Sequence, residues 1–262
     1  IRKSGFKTAV ILDPGIKIEE GYTPHDSGIK EDVFLKYPDG ENYIGEVWPG
    51  RSYFPDFTSD TGRKWWEDLL PFYIDLGVKG FWNDMNEPAV WGQCLPGFIE
   101  FDFEGDKTTH REARNVYGMQ MARATAEGVQ TCNPSERPFV LTRAGFSGIQ
   151  RFSAVWTGDN VSSDEHLMAG VRLVNSLGLT GISFCGNDTG GFVGEASPEL
   201  YARWISVAAV AATSTQSAQA QTQHLLVASS LSRRMSAARN LKRLTQSTKQ
   251  RAQNKSSKEN SV

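Results

Sequence analysis

Five runs of apolar, β-prone residues each end on a charged residue, and that pattern constrains the fold more than any other feature of the chain. They are Phe6-Lys-Thr-Ala-Val-Ile-Leu-Asp13, Gly80-Phe-Trp-Asn-Asp84, Pro138-Phe-Val-Leu-Thr-Arg143, Phe152-Ser-Ala-Val-Trp-Thr-Gly-Asp159 and Gly181-Ile-Ser-Phe-Cys-Gly-Asn-Asp188. Helical patterns lie between most of them. Asp60 to Leu76 sets Trp65, Leu69, Phe72 and Leu76 along one face. Arg111 to Gly128 does the same with Ala113, Val116, Tyr117, Met121 and Ala124. Ser162-Ser-Asp-Glu165 reads as a capping box opening a third helix, which carries Leu167, Val171 and Val174. Strands alternating with helices imply parallel strands joined by right-handed crossovers. The first strand is not followed by a glycine-rich phosphate loop, which argues against a nucleotide-binding sheet.

Polar groups at the carboxyl ends of successive parallel strands are how a (β/α)8 barrel assembles an active site. The expected fold is therefore α/β, a partial (β/α)8 TIM barrel of about five strand–helix units. A charged residue at one strand end means little. Five in succession, four of them Asp, make Asp13, Asp84, Arg143, Asp159 and Asp188 a candidate acidic pocket. A metal centre is disfavoured, because these strand ends offer no His and no Asp-x-Asp pair. Aromatic residues surround them instead: Trp48, Phe54, Trp82, Trp91, Trp156 and Phe192. Tryptophan beside carboxylate suits a sugar, the ring covering C–H surface while the carboxylate takes hydroxyls.

Trp82-Asn-Asp-Met-Asn-Glu-Pro88 resembles the signature of glycoside hydrolase family 31, the α-glucosidase family, in its bacterial-type form. Ile11-Leu-Asp-Pro-Gly15, Val47-Trp-Pro-Gly50, Phe54-Pro-Asp-Phe57, Asn115-Val-Tyr-Gly118, Thr142-Arg143, Trp156-Thr-Gly-Asp159 and Gly186-Asn-Asp-Thr-Gly-Gly-Phe192 resemble further family segments, in the family's order. The resemblance implies a retaining α-glycosidase acting on terminal α-linked glucose, with no cofactor. It makes Asp84 the nucleophile and Asp159 the general acid/base. By the same resemblance Asp13 binds hydroxyls of the terminal sugar, and Arg143 holds the sugar and orients carboxylates. Trp48, Trp82, Met85, Trp156 and Phe192 would line the sugar pocket and Asp188 its polar shell. Glu87 competes with Asp84 as nucleophile, but its place past the strand end favours a role supporting the site from behind. The expected electrostatics follow: Arg143 lowers the pKa of Asp84, while apolar cover from Trp156 and the charge of Asp84 raise that of Asp159. Asp13 and Trp48 favour a glucose-type sugar, while the choice among α-glucosidase, α-xylosidase and α-glucan lyase, which share the nucleophile motif, is left open. His25, His110, His166 and His224 occupy no such position and read as packing or surface residues. Asn160-Val-Ser162 and Asn187-Asp-Thr189 match the glycosylation pattern but abut the catalytic loops, so both read as chance matches.

Composition enters at Ile205. The preceding 204 residues hold all 28 aromatics, all 25 glycines and all 11 prolines, and carry a charge of −10. The last 58 hold none of the three and carry nine Lys/Arg against one Asp/Glu. The expected division is residues 1–207 as the partial barrel and residues 208–262 as a basic Ala/Ser/Gln-rich tail outside the family, disordered or part-helical near Leu225–Leu244. The tail lacks aromatics for base stacking, so nucleic acid is not the expected partner, and a non-native continuation is the favoured reading. Ile1 opens on what reads as the last turn of a helix, so the N-terminus is expected to be a cut. Three unclustered cysteines make no disulfide framework, and no apolar run reaches the ~18 residues of a membrane span. Compartment and oligomeric state are left open. Five of eight strands leave two open edges, and the chain alone is expected to be unstable or folded in part. An inactive truncated family member, or a sugar-binding module, is therefore the alternative function.

Overall fold

The computed structural model describes residues 5–92 and 94–209, together with the backbone of 213–215. In chain order the elements are β1 (Thr8–Leu12), β2 (Ile16–Lys17), α1 (Thr23–Lys30), β3 (Gly45–Val47), β4 (Gly50–Tyr53), α2 (Asp60–Asp75) and β5 (Val78–Asn83). There follow β6 (Glu100–Phe101), β7 (Thr108–Thr109), α3 (His110–Cys132), β8 (Val140–Thr142), β9 (Ala154–Trp156), α4 (Asp164–Leu179), β10 (Cys185–Asp188), α5 (Pro198–Ala208) and β11 (Thr213–Thr215). The main sheet runs β1-β5-β8-β9-β10-β11 with every pair parallel. The five predicted strands are its first five members, in chain order: a partial TIM barrel.

The sixth strand, β11, lies in the segment expected to hold no strand. It pairs backbone to backbone with β10, and such pairing needs no large side chain. The stretch expected to be part-helical near Leu225–Leu244 lies outside the described residues.

Helix starts follow side-chain capping. Ser59, Ser163 and Ser197 accept hydrogen bonds from the amides of Gly62, His166 and Leu200, which fixes the first turns of α2, α4 and α5. The cap of α4 is thus one residue later than the capping box placed it. Ser162 is occupied elsewhere, its hydroxyl donating to the Gly190 carbonyl at 2.8 Å. The predicted face of α2 is also corrected. Trp65, Trp66 and Leu70 are buried, with Arg63 beside them, while Phe72 and Leu76 are exposed. Phe72, Leu69 and Tyr73 border a cavity of about 610 Å³ beside the edge of β1, which among the described residues pairs with no strand on that side. The face expected of α3 holds at four of its five residues: Ala113, Tyr117, Met121 and Ala124 are fully buried, while Val116 is half-buried.

Strand alternation separates two layers. Leu12 and Phe81 point outward into the core under α2 and α3, and Val140, Val155 and Cys185 into a second one toward α3 and α4. Trp82, Leu141, Ala154 and Trp156 form a small cluster on the other, concave face. On that same face Ile11, Phe139 and Phe184 are exposed, as expected of a barrel interior that is not closed.

Candidate active site

The parallel register decides which strand ends meet. Leu12 pairs with Asn83, Asn83 with Thr142, Thr142 with Val155 and Val155 with Cys185, forming one row across the sheet. The next residue in each strand turns inward, which sets Asp13, Asp84, Arg143 and Trp156 side by side. Asp159 lies in the loop after β9, and Asp188 closes β10.

Arg143 is the centre of the cluster. Its Nη1 is 3.1 Å from Asp84 Oδ1 and 3.9 Å from Asp159 Oδ2. Nε and Nη2 donate in a fork to Glu87 at 2.8 and 2.9 Å, and Nη2 also donates to the Met85 sulfur at 3.1 Å. Asp84 Oδ1 accepts the Met85 amide at 2.8 Å, across a residue held in the left-handed region at φ 55°. Glu87 leads into a cis peptide at Pro88.

The ionisation of Asp84 departs from the sequence expectation. Burial pushes its pKa up; the Arg143 guanidinium and the Met85 amide pull it down, and Asp159 and Glu87 add to the rise. Burial wins, so the net direction is upward although Arg143 acts in the expected sense. Asp13 goes the same way: burial, then the charge of Asp84, raise it to about 6 against the pull of Arg143. The apolar cover expected over Asp159 is not there. Its side chain is 49% exposed, and Trp156 is instead buried edge-on against Trp82, with ring centroids 4.8 Å apart.

The remaining predicted residues differ in burial and in what holds them. Asp188 is buried, 2% exposed, at the end of β10. Phe192 is held by its amide to the Asn160 carbonyl at 2.8 Å and the Asn160 side chain at 3.0 Å. Trp48 stands out on the β3–β4 turn, 71% exposed and edge-on to Trp91. Asn160 and Asn187 are both buried, which leaves no room for a glycan on either. His25 stacks on Tyr53, His110 stacks on Phe101, and His166 accepts the Val161 amide, so those three serve packing and local structure; His224 lies outside the described residues.

Sequence reasoning passed over the residues beneath the charges. Asn86 is fully buried and ties the Asp84 loop to Thr142 and Ala144, on either side of Arg143. Its signal was an Asn two residues past the nucleophile candidate in a segment otherwise read for its carboxylates. Among the described residues, no group of three or more His, Cys, Asp or Glu side chains could hold a metal ion, and no helix is long and apolar enough to cross a membrane.

Residues 1–244 match the TIM-barrel domain of the glycosyl hydrolases of family 31. The chain belongs to glycosyl hydrolase family 31. That family match runs past Val207, where the motif resemblance was expected to end. Alpha-glucosidase 2 of Bacillus thermoamyloliquefaciens is 48% identical over 211 residues, 80% of this chain and 27% of that protein. A crystal structure of a family 31 alpha-glucosidase from Bacteroides thetaiotaomicron superposes with a TM-score of 0.71 at 41% identity, covering 81% of this chain and 34% of the other. A family 31 dextranase from Flavobacterium johnsoniae, solved in complex with glucose, superposes with a TM-score of 0.72 at 26% identity, covering 82% and 28%. The chain thus spans about a quarter to a third of the length of these family 31 proteins.

Proposed function

We propose that this chain carries the catalytic centre of a retaining α-glycosidase of the α-glucosidase type, acting on terminal α-linked glucose by double displacement. The observation that carries the reading is the single guanidinium nitrogen shared by Asp84 and Asp159. Its two contacts bring one oxygen of each carboxylate within roughly 7 Å of the other, which admits the about 5–5.5 Å carboxyl separation of retaining enzymes.

In this reading Asp84 attacks the anomeric carbon while Asp159 protonates the departing glycosidic oxygen. Asp159 then takes a proton from the water that releases the sugar from Asp84. Arg143 and Asp13 take sugar hydroxyls; Trp48, Trp82, Met85, Trp156 and Phe192 line the pocket; Asp188 completes its polar shell. Glu87 holds Arg143 from behind. Alpha-glucosidase activity in the Bacillus relative's name and the glucose bound by the Flavobacterium dextranase support an α-glucan or α-glucoside substrate.

The test is intact-mass analysis after incubation with a mechanism-based α-glucoside inactivator, followed by peptide mapping. One adduct on Asp84 is expected in the parent chain and none in Asp84→Asn. An adduct elsewhere, or undiminished labelling of Asp84→Asn, overturns the assignment. Because the nucleophile must be ionised and Asp84 is shifted upward, labelling is expected to fall on acidification at a higher pH than for an unperturbed Asp.

The exposure of Asp159 and Trp48 supports a second reading, a family member that binds sugar without turning it over. Loss of glucoside binding in Asp13→Ala, with no adduct in the parent, selects it.

A further inference from the structure

Asp84 and Arg143 sit on loops after different strands, yet their separation is 3.1 Å, and something must hold the two loops in register. Between the strands the Arg143 amide donates to the Asn83 carbonyl at 3.0 Å. Beyond the strands the Arg143 fork to Glu87 crosses between the loops at the surface, and beneath it one buried side chain joins their backbones. Asn86 Oδ1 accepts the Ala144 amide at 3.0 Å, and Asn86 Nδ2 donates to Thr142 Oγ1 at 2.8 Å and to the Gly118 carbonyl at 3.4 Å. Thr142 Oγ1 passes its own proton to the Ala144 carbonyl at 2.8 Å. Every polar atom of the Asn86 side chain is thus used, and reversing the amide would set donor against donor at Ala144.

We propose that Asn86 is a positioning residue, whose amide bolts the Asp84 loop to the Arg143 loop and so sets where the guanidinium stands against the nucleophile. Only Met85 separates Asp84 from Asn86, and Met85 already donates its amide to Asp84. Thr142 and Ala144 are the immediate neighbours of Arg143. A movement of the bolt therefore reaches both charges within one residue. Helix α3 closes the arrangement from behind. A Cβ added at Gly118 would stand 2.8 Å from each of the Asn86 carbonyl, the Ala144 carbonyl and the Ala144 Cβ, so the helix approaches this closely only with glycine there. Asn86 and Thr142 are both fully buried, and water cannot replace either partner without repacking.

The catalytic meaning of the bolt rests on reading Asp84 as the nucleophile, but its existence does not require turnover. The full chain, labelled with ¹³C at its Asp carboxyls, is titrated by NMR, with Asp84→Asn assigning the Asp84 signal. Asn86→Ala is expected to raise the Asp84 midpoint by about one pH unit, the size expected when a cation within ~4 Å is let go. Thr142→Val, close in shape but lacking the hydroxyl, raises it by less, and Thr142→Ser restores the parent midpoint. A folded Asn86→Ala with an unmoved Asp84 midpoint overturns the proposal, as does a Thr142→Ser that shifts as far as Thr142→Val. Hydrogen exchange in the unsubstituted chain is a second check: the Ala144 amide is expected to be protected, and exchange at the rate of an open loop overturns the bolt. Failure of Asp84 to form the glycosyl adduct, with these shifts observed, would count against the proposed function and leave the bolt standing.

Discussion

The segment from β1 through α3 and the segment from β8 through α5 are built to different densities. The first contains one continuous core of 22 buried residues, in which Phe57 stacks edge-on with both Trp66 and Tyr117. The second has clusters of six, three and three, some of them completed by residues of the first segment. The loops between β1 and β5 explain the contrast, since they carry Phe34, Leu35, Tyr43, Phe54 and Phe57 into one mass against α2 and α3. The site straddles the boundary. Asp84 belongs to the dense segment, Asp159 to the sparse one, and Arg143 stands at the seam. The nucleophile candidate is thus held by the larger packed core, while the acid/base candidate depends on strands backed by the smaller clusters.

The largest effect expected is from Phe57→Ala, which should cost about 3–5 kcal/mol by opening a cavity at the centre of the dense core. That is comparable to the whole stability of a small domain, so urea or thermal unfolding should show loss of the cooperative transition. A mild effect would mean that the density contrast does not control stability. Next is Gly170→Ala, whose added Cβ would lie 2.2 Å from the Asn187 side chain and lift α4 off β10. A cost of about 1–3 kcal/mol is expected, with hydrogen exchange rising in β9 and β10 and unchanged in β5. Equal loosening of both segments would erase the distinction.

Asp13→Asn tests the seam by pH. The folded pKa of Asp13 is raised to about 6, so its contribution to stability is fully present below the unfolded value and lost as pH rises through 6. The Asn variant should therefore be more stable than the parent at pH 7, by about 1 kcal/mol once the partial solvent exposure of the site is allowed for, and no more stable near pH 4. A variant less stable at pH 7 would reverse that sign. The smallest effect is expected from Lys79→Ala. The pair Lys79–Glu136 ties β5 to the loop leading into β8 at 2.7 Å, but it is exposed, and the thermal midpoint should stay within error. A clear drop would show that surface charge adds to the seam.

Most of the fold was legible in the local pattern. Runs ending at Asp13, Asp84, Arg143, Asp159 and Asp188 announced five parallel strands, because apolar alternation and strand–helix order are properties of neighbouring residues. The bottom of the site was not legible. Asn86, Thr142 and Gly118 come together through partners 32 and 56 positions away, and nothing local distinguishes a bolting Asn from a loop Asn. The face of α2 was misread for a related reason: periodicity names an apolar stripe, but what lies opposite decides whether that stripe is covered, and beside β1 a cavity remains.

Electrostatics divide the same way. The residue types alone established that one Arg stands among four strand-end Asp residues, and hence that it favours their ionised forms. Whether that attraction exceeds the cost of burial depends on how much water the packing leaves at each carboxylate. Only the tertiary structure decided that, turning Asp84 and Asp13 upward and leaving Asp159 half in solvent.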